Sequence, residues 1–382
     1  MTSLAPPSAD MVAASLLPQT PSRGRVYNFS AGPACMPESV LDQIREELID
    51  CRGSGIGLLE LSHRGSLYER LNLEAEAACR KAAGVGSDHA VFFMPGGATV
   101  QFGLLPLNFL AEHETAAYLD TSIWSRKAYT EALACRNVTV AFDGRAAGYS
   151  RVPRKGEFAE PKDAKYLFYC QNNTVEGTTF RAPPETSLPL IGDATSDVFS
   201  RPWDFTKHAM VLAAGQKNLG ASGASLVIAR RDFLASATKR IPQILRFEEH
   251  ANSGSRLNTP PTFAVRVIGL MAEWTLSVGG PEAIARHNAT KANLLWSAVD
   301  RSRGFYSWPA ETWCRSHLNV CFRTPRAELD AKFVTEAESH GLFGLLGHRD
   351  AGGMRASIYN AFPARGCEIL ADFMDDFAKR NG

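Results

Sequence analysis

Met210-Val211-Leu212-Ala213-Ala214-Gly215-Gln216-Lys217-Asn218 is an apolar run that stops at a glycine and then presents a lysine. Upstream, Leu188 to Ile191 is a second apolar run, closed by Asp193. Short apolar runs bounded by turn residues read as buried strands. The two runs therefore place an amine at one strand end and a carboxylate at a neighbouring one. Singly, such residues are ordinary, since a lysine after a strand is usually a solvated loop residue and an aspartate there usually forms a turn.

Outward from this pair the chain alternates apolar runs with helical patterns, as an α/β protein does. Glu38–Ile49 carries Val40, Leu41, Ile44 and Leu48 at helical spacing, and residues 68–83 read as another helix. Residues 90–94 form a strand pattern that runs into Pro95-Gly96-Gly97-Ala98-Thr99 and a further helix. Strand, glycine turn and helix N-terminus together make an anion cradle, because free N–H groups point at the ligand. Trp124 follows a strand that ends at Asp120, where an indole can lie flat on an aromatic ring. A Schiff-base lysine, a carboxylate that keeps a pyridine nitrogen protonated, a phosphate cradle and a ring platform are together the requirements of pyridoxal 5'-phosphate.

Composition narrows the class. Among 382 residues, 41 Lys plus Arg balance 40 Asp plus Glu, with no long block of either sign. That speaks against a nucleic-acid partner or a membrane-surface patch. No run of about 18 uncharged apolar residues occurs, so no membrane span is expected. The eight cysteines form neither Cys-x-x-Cys pairs nor Cys/His clusters at zinc spacing, and neither a disulfide nor a metal is expected. Residues 1–25, rich in Ala, Ser, Pro and Thr, read as a disordered extension. They lack a secretory pattern, so a cytoplasmic protein is expected, with organelle import through this segment as the alternative. A large domain over residues 26–270 and a small C-terminal one over 271–382 are expected, the pattern changing between Ser255 and Gly280.

Three further clusters add charge chemistry. Ser62-His63-Arg64-Gly65 and Gly347-His348-Arg349 each set an imidazole beside a guanidinium, a pairing suited to phosphate or carboxylate. Gly352-Gly353-Met354-Arg355-Ala356-Ser357 supplies a third arginine, whose planar fork can hold a carboxylate by both oxygens.

From Tyr27 to its C-terminus the chain resembles the phosphoserine aminotransferase family, class V pyridoxal phosphate enzymes of fold type I. The resemblance runs through Asn28-Phe29-Ser30-Ala31-Gly32-Pro33, Ser62-His63-Arg64-Gly65, Gln216-Lys217-Asn218, Asn258-Thr259-Pro260-Pro261-Thr262-Phe263 and Gly352 to Asn360, in the family's order. It implies a mostly parallel seven-stranded sheet between helices, with a smaller α+β domain. It also implies that Lys217 bonds the cofactor, Asp193 meets the pyridinium, Trp124 stacks on the ring and Thr174 meets the phenolic oxygen. Ala98, Thr99 and Gln216 would hold the cofactor phosphate, joined by Asn258 and Thr259 from the second subunit of a homodimer with shared sites. Arg355 would take the α-carboxylate, and His63, Arg64, His348 and Arg349 the distal phosphate of phosphoserine or the γ-carboxylate of glutamate. The implied reaction is ping-pong amino transfer between phosphoserine and 2-oxoglutarate in serine biosynthesis, with phosphohydroxythreonine as a further substrate in vitamin B6 synthesis.

Three positions depart from the family's pattern. Asn173 stands where Glu is common, Ala214-Gly215 inverts Gly-Ala, and the glycine turn lacks an arginine that supports the distal anion in some members. The last bears on affinity for phosphoserine. A class V enzyme using serine or alanine with glyoxylate would keep the Lys and Asp without two His-Arg pairs. A regulator without turnover would have no chemical need for Arg355.

Overall fold

The computed structural model describes residue 17 and residues 20–382. The expected N-terminal extension lies mostly outside the described residues. Its last part, Ser22 to Arg25, rests on the first helix, where the Ser22 amide donates to Glu38 Oε1 (2.8 Å) and Arg23 pairs with Asp42.

The chain begins with β1 (Tyr27–Asn28), α1 (Glu38–Ile49), α2 (Ser66–Ala83) and β2 (His89–Pro95). There follow α3 (Ala98–Phe109), β3 (Thr115–Asp120), α4 (Ile123–Leu133), β4 (Asn137–Asp143) and β5 (Ala164–Cys170). A hairpin of two-residue strands, β6 (Asn172–Asn173) and β7 (Thr178–Thr179), leads to β8 (Leu190–Asp193), β9 (Met210–Ala214) and β10 (Ala224–Arg230). Seven of these strands form one sheet in the order β2-β10-β9-β8-β5-β3-β4. Only β10 runs against its neighbours, so the mostly parallel seven-stranded sheet is found.

Successive residues of a strand face opposite sides, and here each side has its own core. Phe92, Met94, Leu212 and Val227 pack with Phe102 and Leu105 of α3. Val91, Phe93, Val211 and Leu226 pack with Ala75 of α2 and Ala264 and Ile268 of α7 (Thr262–Ser277), which follows the short helices α5 (Arg231–Ala235) and α6 (Phe247–Asn252). The helices α2 and α7 cross closely at Gly269, where an added Cβ would stand 2.7 Å from that of Ala75.

A second core gathers α8 (Gly280–Arg301), β11 (Asn319–Phe322), α9 (Ala327–Ser339), β12 (Leu342–Phe343), β13 (Met354–Ser357) and α10 (Ala364–Asn381). Phe29 belongs to it although it lies far away in sequence, fully buried with its ring 4.4 Å from that of Phe362. Burial of that side chain contributes about 2–3 kcal/mol. It also anchors the segment that lies over Lys217, through β1 paired in parallel with β12.

On α1 the apolar stripe only partly reaches the core. Val40 and Ile44 are buried, whereas Leu48 is exposed and Glu47 takes a buried place beside it. The cause is Arg266 of α7, wholly buried, whose guanidinium holds Glu47 at 2.8 and 2.6 Å. A buried guanidinium is tolerable only when paired, which overrides the helical apolar pattern. Burial alone would raise the Glu47 carboxyl, but the hydrogen bonds and charge of Arg266 hold it below the usual carboxylate range.

Candidate active site

Parallel strands of an open sheet bind ligands beyond their carboxyl ends. Five strand ends here converge on one cavity of about 610 Å³. Beyond β2, Gly97 leads α3 with no side-chain cap, and the N–H groups of Ala98 and Thr99 have no backbone acceptor among the described residues. They and the α3 dipole favour an anion at the cavity floor.

Beyond β3, Ser122 and Ser125 cap the start of α4 reciprocally: the Ser125 amide donates to Ser122 Oγ (3.0 Å) and the Ser122 amide to Ser125 Oγ (2.8 Å). This fixes the first turn of α4 and with it Trp124. The indole Nε1 donates to Thr174 Oγ1 (3.1 Å), and the ring lies 5.8 Å from Lys217 Nζ.

Asp193 ends β8 opposite Leu212 of β9, so the carboxylate and Lys217 stand on adjacent strand ends. One Asp193 oxygen accepts the Thr195 amide at 2.9 Å; the other has only the Cys170 thiol at 3.7 Å. No cation pairs with this carboxylate among the described residues, which leaves it free for a cationic N–H in the cavity. Burial raises the Cys170 thiol well above its ordinary range, and Asp193 adds to the effect, so Cys170 stays protonated as a donor. After β9, Gly215 makes the turn to Lys217 where no side chain fits, since a Cβ would lie 2.1 Å from the Ala221 carbonyl oxygen. The Ala34 amide donates to the Gln216 carbonyl (3.0 Å), laying Ala31 and Gly32 over the lysine.

The cavity thus gathers Ala98, Thr99, Trp124, Thr174, Asp193, Gln216 and Lys217, with His348 and Arg355 at its other wall. Arg355 stands on β13 and donates to the Thr174 carbonyl at 3.4 Å; His348 sets its ring edge-on to Trp124 at 6.4 Å. Five expected residues do not line it. Arg349 turns outward beside Asp350, 88% exposed, because the loop between the glycines at 347 and 352 folds away from the cavity there. His63 and Arg64 touch each other (3.4 Å) in the turn before α2, and Asn258 and Thr259 are exposed in the loop before α7. The loop before α7 is tied to α2 by Arg256 to Glu69 (2.6 Å) and by Asn72, which donates to the Gly254 carbonyl (3.0 Å).

Other residues of the site gave no signal in the sequence reading. Asn172 donates to Ser196 Oγ and Asn319 Oδ1, and Thr195 Oγ1 accepts the Ala214 amide, joining the ends of β8 and β9. The Asp-Ala-Thr-Ser word that closes β8 is a pattern from which Thr195 could have been found. Glu176 is buried, accepts the Ile123 amide at 2.7 Å, and is pushed up to about 7 by burial against the opposing pull of backbone amides and Arg355. A carboxyl raised in this way favours folding below its unfolded value of 4.5, and the contribution is lost as pH rises through about 7.

These residues fit pyridoxal phosphate: an anion cradle, an unpaired buried carboxylate, an indole platform and an amine share one cavity. Comparison with known proteins agrees. Residues 26–370 match the family aminotransferase class-V. The phosphoserine aminotransferase of Rhodopirellula baltica is 44% identical over 361 residues, covering 94% of this chain and 96% of its own. That of Herpetosiphon aurantiacus is 42% identical, with 94% and 99% covered. The solved phosphoserine aminotransferase of Bacillus circulans subsp. alkalophilus superposes with a TM-score of 0.91 at 41% identity, over 94% of this chain and 99% of that one. With the lysine, carboxylate and phosphate cradle where that chemistry needs them, the chain belongs to the class-V aminotransferases and, within them, to the phosphoserine aminotransferases.

Proposed function

We propose that this protein moves the amino group of O-phospho-L-serine to 2-oxoglutarate by ping-pong turnover, giving 3-phosphohydroxypyruvate and glutamate. The observation that carries the reading is a single cavity holding Lys217, Asp193 and Trp124 on one wall and Arg355 with His348 on the other. Pyridoxal phosphate, when bound, supplies the carbonyl that takes the amino group and a ring that absorbs the electrons left as the Cα proton departs. Ala98, Thr99 and Gln216 hold its phosphate, Asp193 keeps its pyridine nitrogen protonated, Trp124 fixes the plane of the ring, and Thr174 meets the phenolic oxygen. Lys217 would take the proton from the substrate's Cα and hold it at Nζ for its return. Arg355 orients the α-carboxylate, so that the Cα–H bond faces the amine. A large domain to about residue 270 carries the cofactor, and the later residues with Phe29 form the second unit that carries Arg355.

The protein acts as a homodimer in this reading. His63 and Arg64 precede α2, the helix to which Arg256 ties the loop of Asn258 and Thr259, and apolar Ile49, Ile56, Leu59 and Leu73 stand exposed on α1, on α2 and between them. Such a patch favours burial against another copy, which would bring His63 and Arg64 to the partner's distal-anion pocket and Asn258 and Thr259 to its cofactor phosphate. We place the protein in the cytoplasm; among the described residues no helix is long and apolar enough to cross a membrane. Phosphohydroxythreonine, with one more carbon, is a second donor by the same pocket logic.

The test is amino transfer from phosphoserine to 2-oxoglutarate by purified protein with added pyridoxal phosphate, beside serine and alanine as donors. Turnover with phosphoserine alone is expected; turnover with the unphosphorylated donors instead would overturn the distal-anion pocket. Arg349→Ala should raise the KM for phosphoserine about ten-fold and leave thermal unfolding unchanged, because the side chain is almost fully exposed. An unchanged KM would move distal-anion binding to other groups.

A further inference from the structure

The hairpin of β6 and β7 ends in Thr174-Val175-Glu176-Gly177, four buried residues wedged between the two walls of the cavity. Thr174 touches both walls: its Oγ1 accepts from Trp124 and its carbonyl accepts from Arg355. What holds this tip is Glu176. Its Oε1 accepts the amide of Ile123, the first residue of α4, and its carbonyl accepts Trp308 Nε1 at 2.8 Å. The other carboxyl oxygen is buried with no partner among the described residues, a costly arrangement for a side chain that only fills space.

We propose that Glu176 is a positioning residue: by clamping the hairpin tip onto the first turn of α4, it sets Trp124 and Arg355 at a fixed spacing and tunes the charge that Arg355 offers to the substrate carboxylate. The inference rests on the reading of this cavity as the phosphoserine site. The groups facing Glu176 are few. Arg355 of β13 acts on it as a positive charge, and Cys321 of β11 and Cys170 of β5 are thiols raised by burial, Cys321 to about 12. Among the described residues, Arg355 is the cation whose charge bears most on it. When Glu176 is ionised it partly neutralises Arg355 and weakens its hold on an incoming carboxylate; when protonated it leaves that charge to the substrate. The sign follows: KM for the amino donor rises as pH passes upward through about 7.

The experiment compares Glu176→Ala and Glu176→Gln with the wild-type holoenzyme. Glu176→Ala removes the clamp and should raise the KM for phosphoserine about ten-fold, with kcat moving by less than about three-fold. It should also change the visible circular dichroism of the bound cofactor, because Trp124 loses its fixed spacing. Glu176→Gln keeps an acceptor for Ile123 and should recover most of that loss, but its KM should no longer rise through the neutral range. A KM for Glu176→Ala within about two-fold of wild type, an unchanged dichroism band, or a Gln variant no better than Ala would each overturn the role. If Glu176→Ala does not fold, the Gln variant decides alone: a pH profile identical to wild type overturns the proposal. Failure of the wild type itself to use phosphoserine sinks the underlying reading, whereas an active wild type with unmoved variants sinks only the role of Glu176.

Discussion

Lys217→Ala is expected to lower kcat for amino transfer by about four orders of magnitude while the protein still folds and binds some pyridoxal phosphate noncovalently. The amine is half-buried at the end of β9, and among the described residues it makes no hydrogen bond or ion pair, so its loss strands no partner. The Gly215 turn and the Ala34 to Gln216 bond that position it are backbone features and survive the change. What disappears is the only amine lining the cavity among the described residues, and with it the group proposed to move the Cα proton. Single-turnover assays with phosphoserine measure the loss, and gel filtration of the loaded variant shows whether the cofactor stays. Turnover within about ten-fold of wild type would give the proton transfer to another group.

The fold and half the site could be read from residues because they depend on local pattern. Lys217 and Asp193 end apolar runs, and apolar runs of that length in an α/β chain become central parallel strands, which makes their ends neighbours. The cradle at Ala98 and Thr99 likewise follows from strand, glycines and helix in immediate succession. What could not be read depends on contacts distant in sequence. Glu47 fell on no apolar stripe, and only the burial of Arg266 more than two hundred positions later explains why it lies inside while Leu48 does not. Nothing in the sequence pattern marks Glu176, and the role proposed for it depends on Ile123 and Trp308, both distant in sequence, meeting it. The His-Arg words illustrate the reverse limit. Their chemistry was plain, but of His348 and Arg349, adjacent in sequence, only the first lines the cavity while the second is exposed, and His63 with Arg64 lies outside the lining. Adjacency fixes which charges occur together, whereas loop direction fixes where they point.

Arg355→Ala should lower kcat/KM about a hundred-fold to a thousand-fold for phosphoserine and for 2-oxoglutarate alike, a loss of about 3–4 kcal/mol. Both substrates carry an α-carboxylate, and Arg355 is the one arginine lining the cavity among the described residues. Its guanidinium is half-buried and gives one long hydrogen bond, 3.4 Å to the Thr174 carbonyl, which leaves its remaining donors for a ligand. That carbonyl is also approached by the Cys321 thiol at 4.0 Å, so removing the arginine disturbs the hairpin little. Arg355→Lys tests the geometry apart from the charge. An ammonium keeps the positive potential but cannot meet two oxygens in a plane, so it should recover less than about ten-fold of the loss. The pattern across substrates separates this site from the distal pocket, because Arg349→Ala is expected to act on KM without the loss in both half-reactions. Steady-state kinetics with each substrate varied in turn measures both. A loss confined to phosphoserine would place Arg355 at the distal phosphate, and full rescue by lysine would mean that charge alone, without the planar fork, orients the carboxylate.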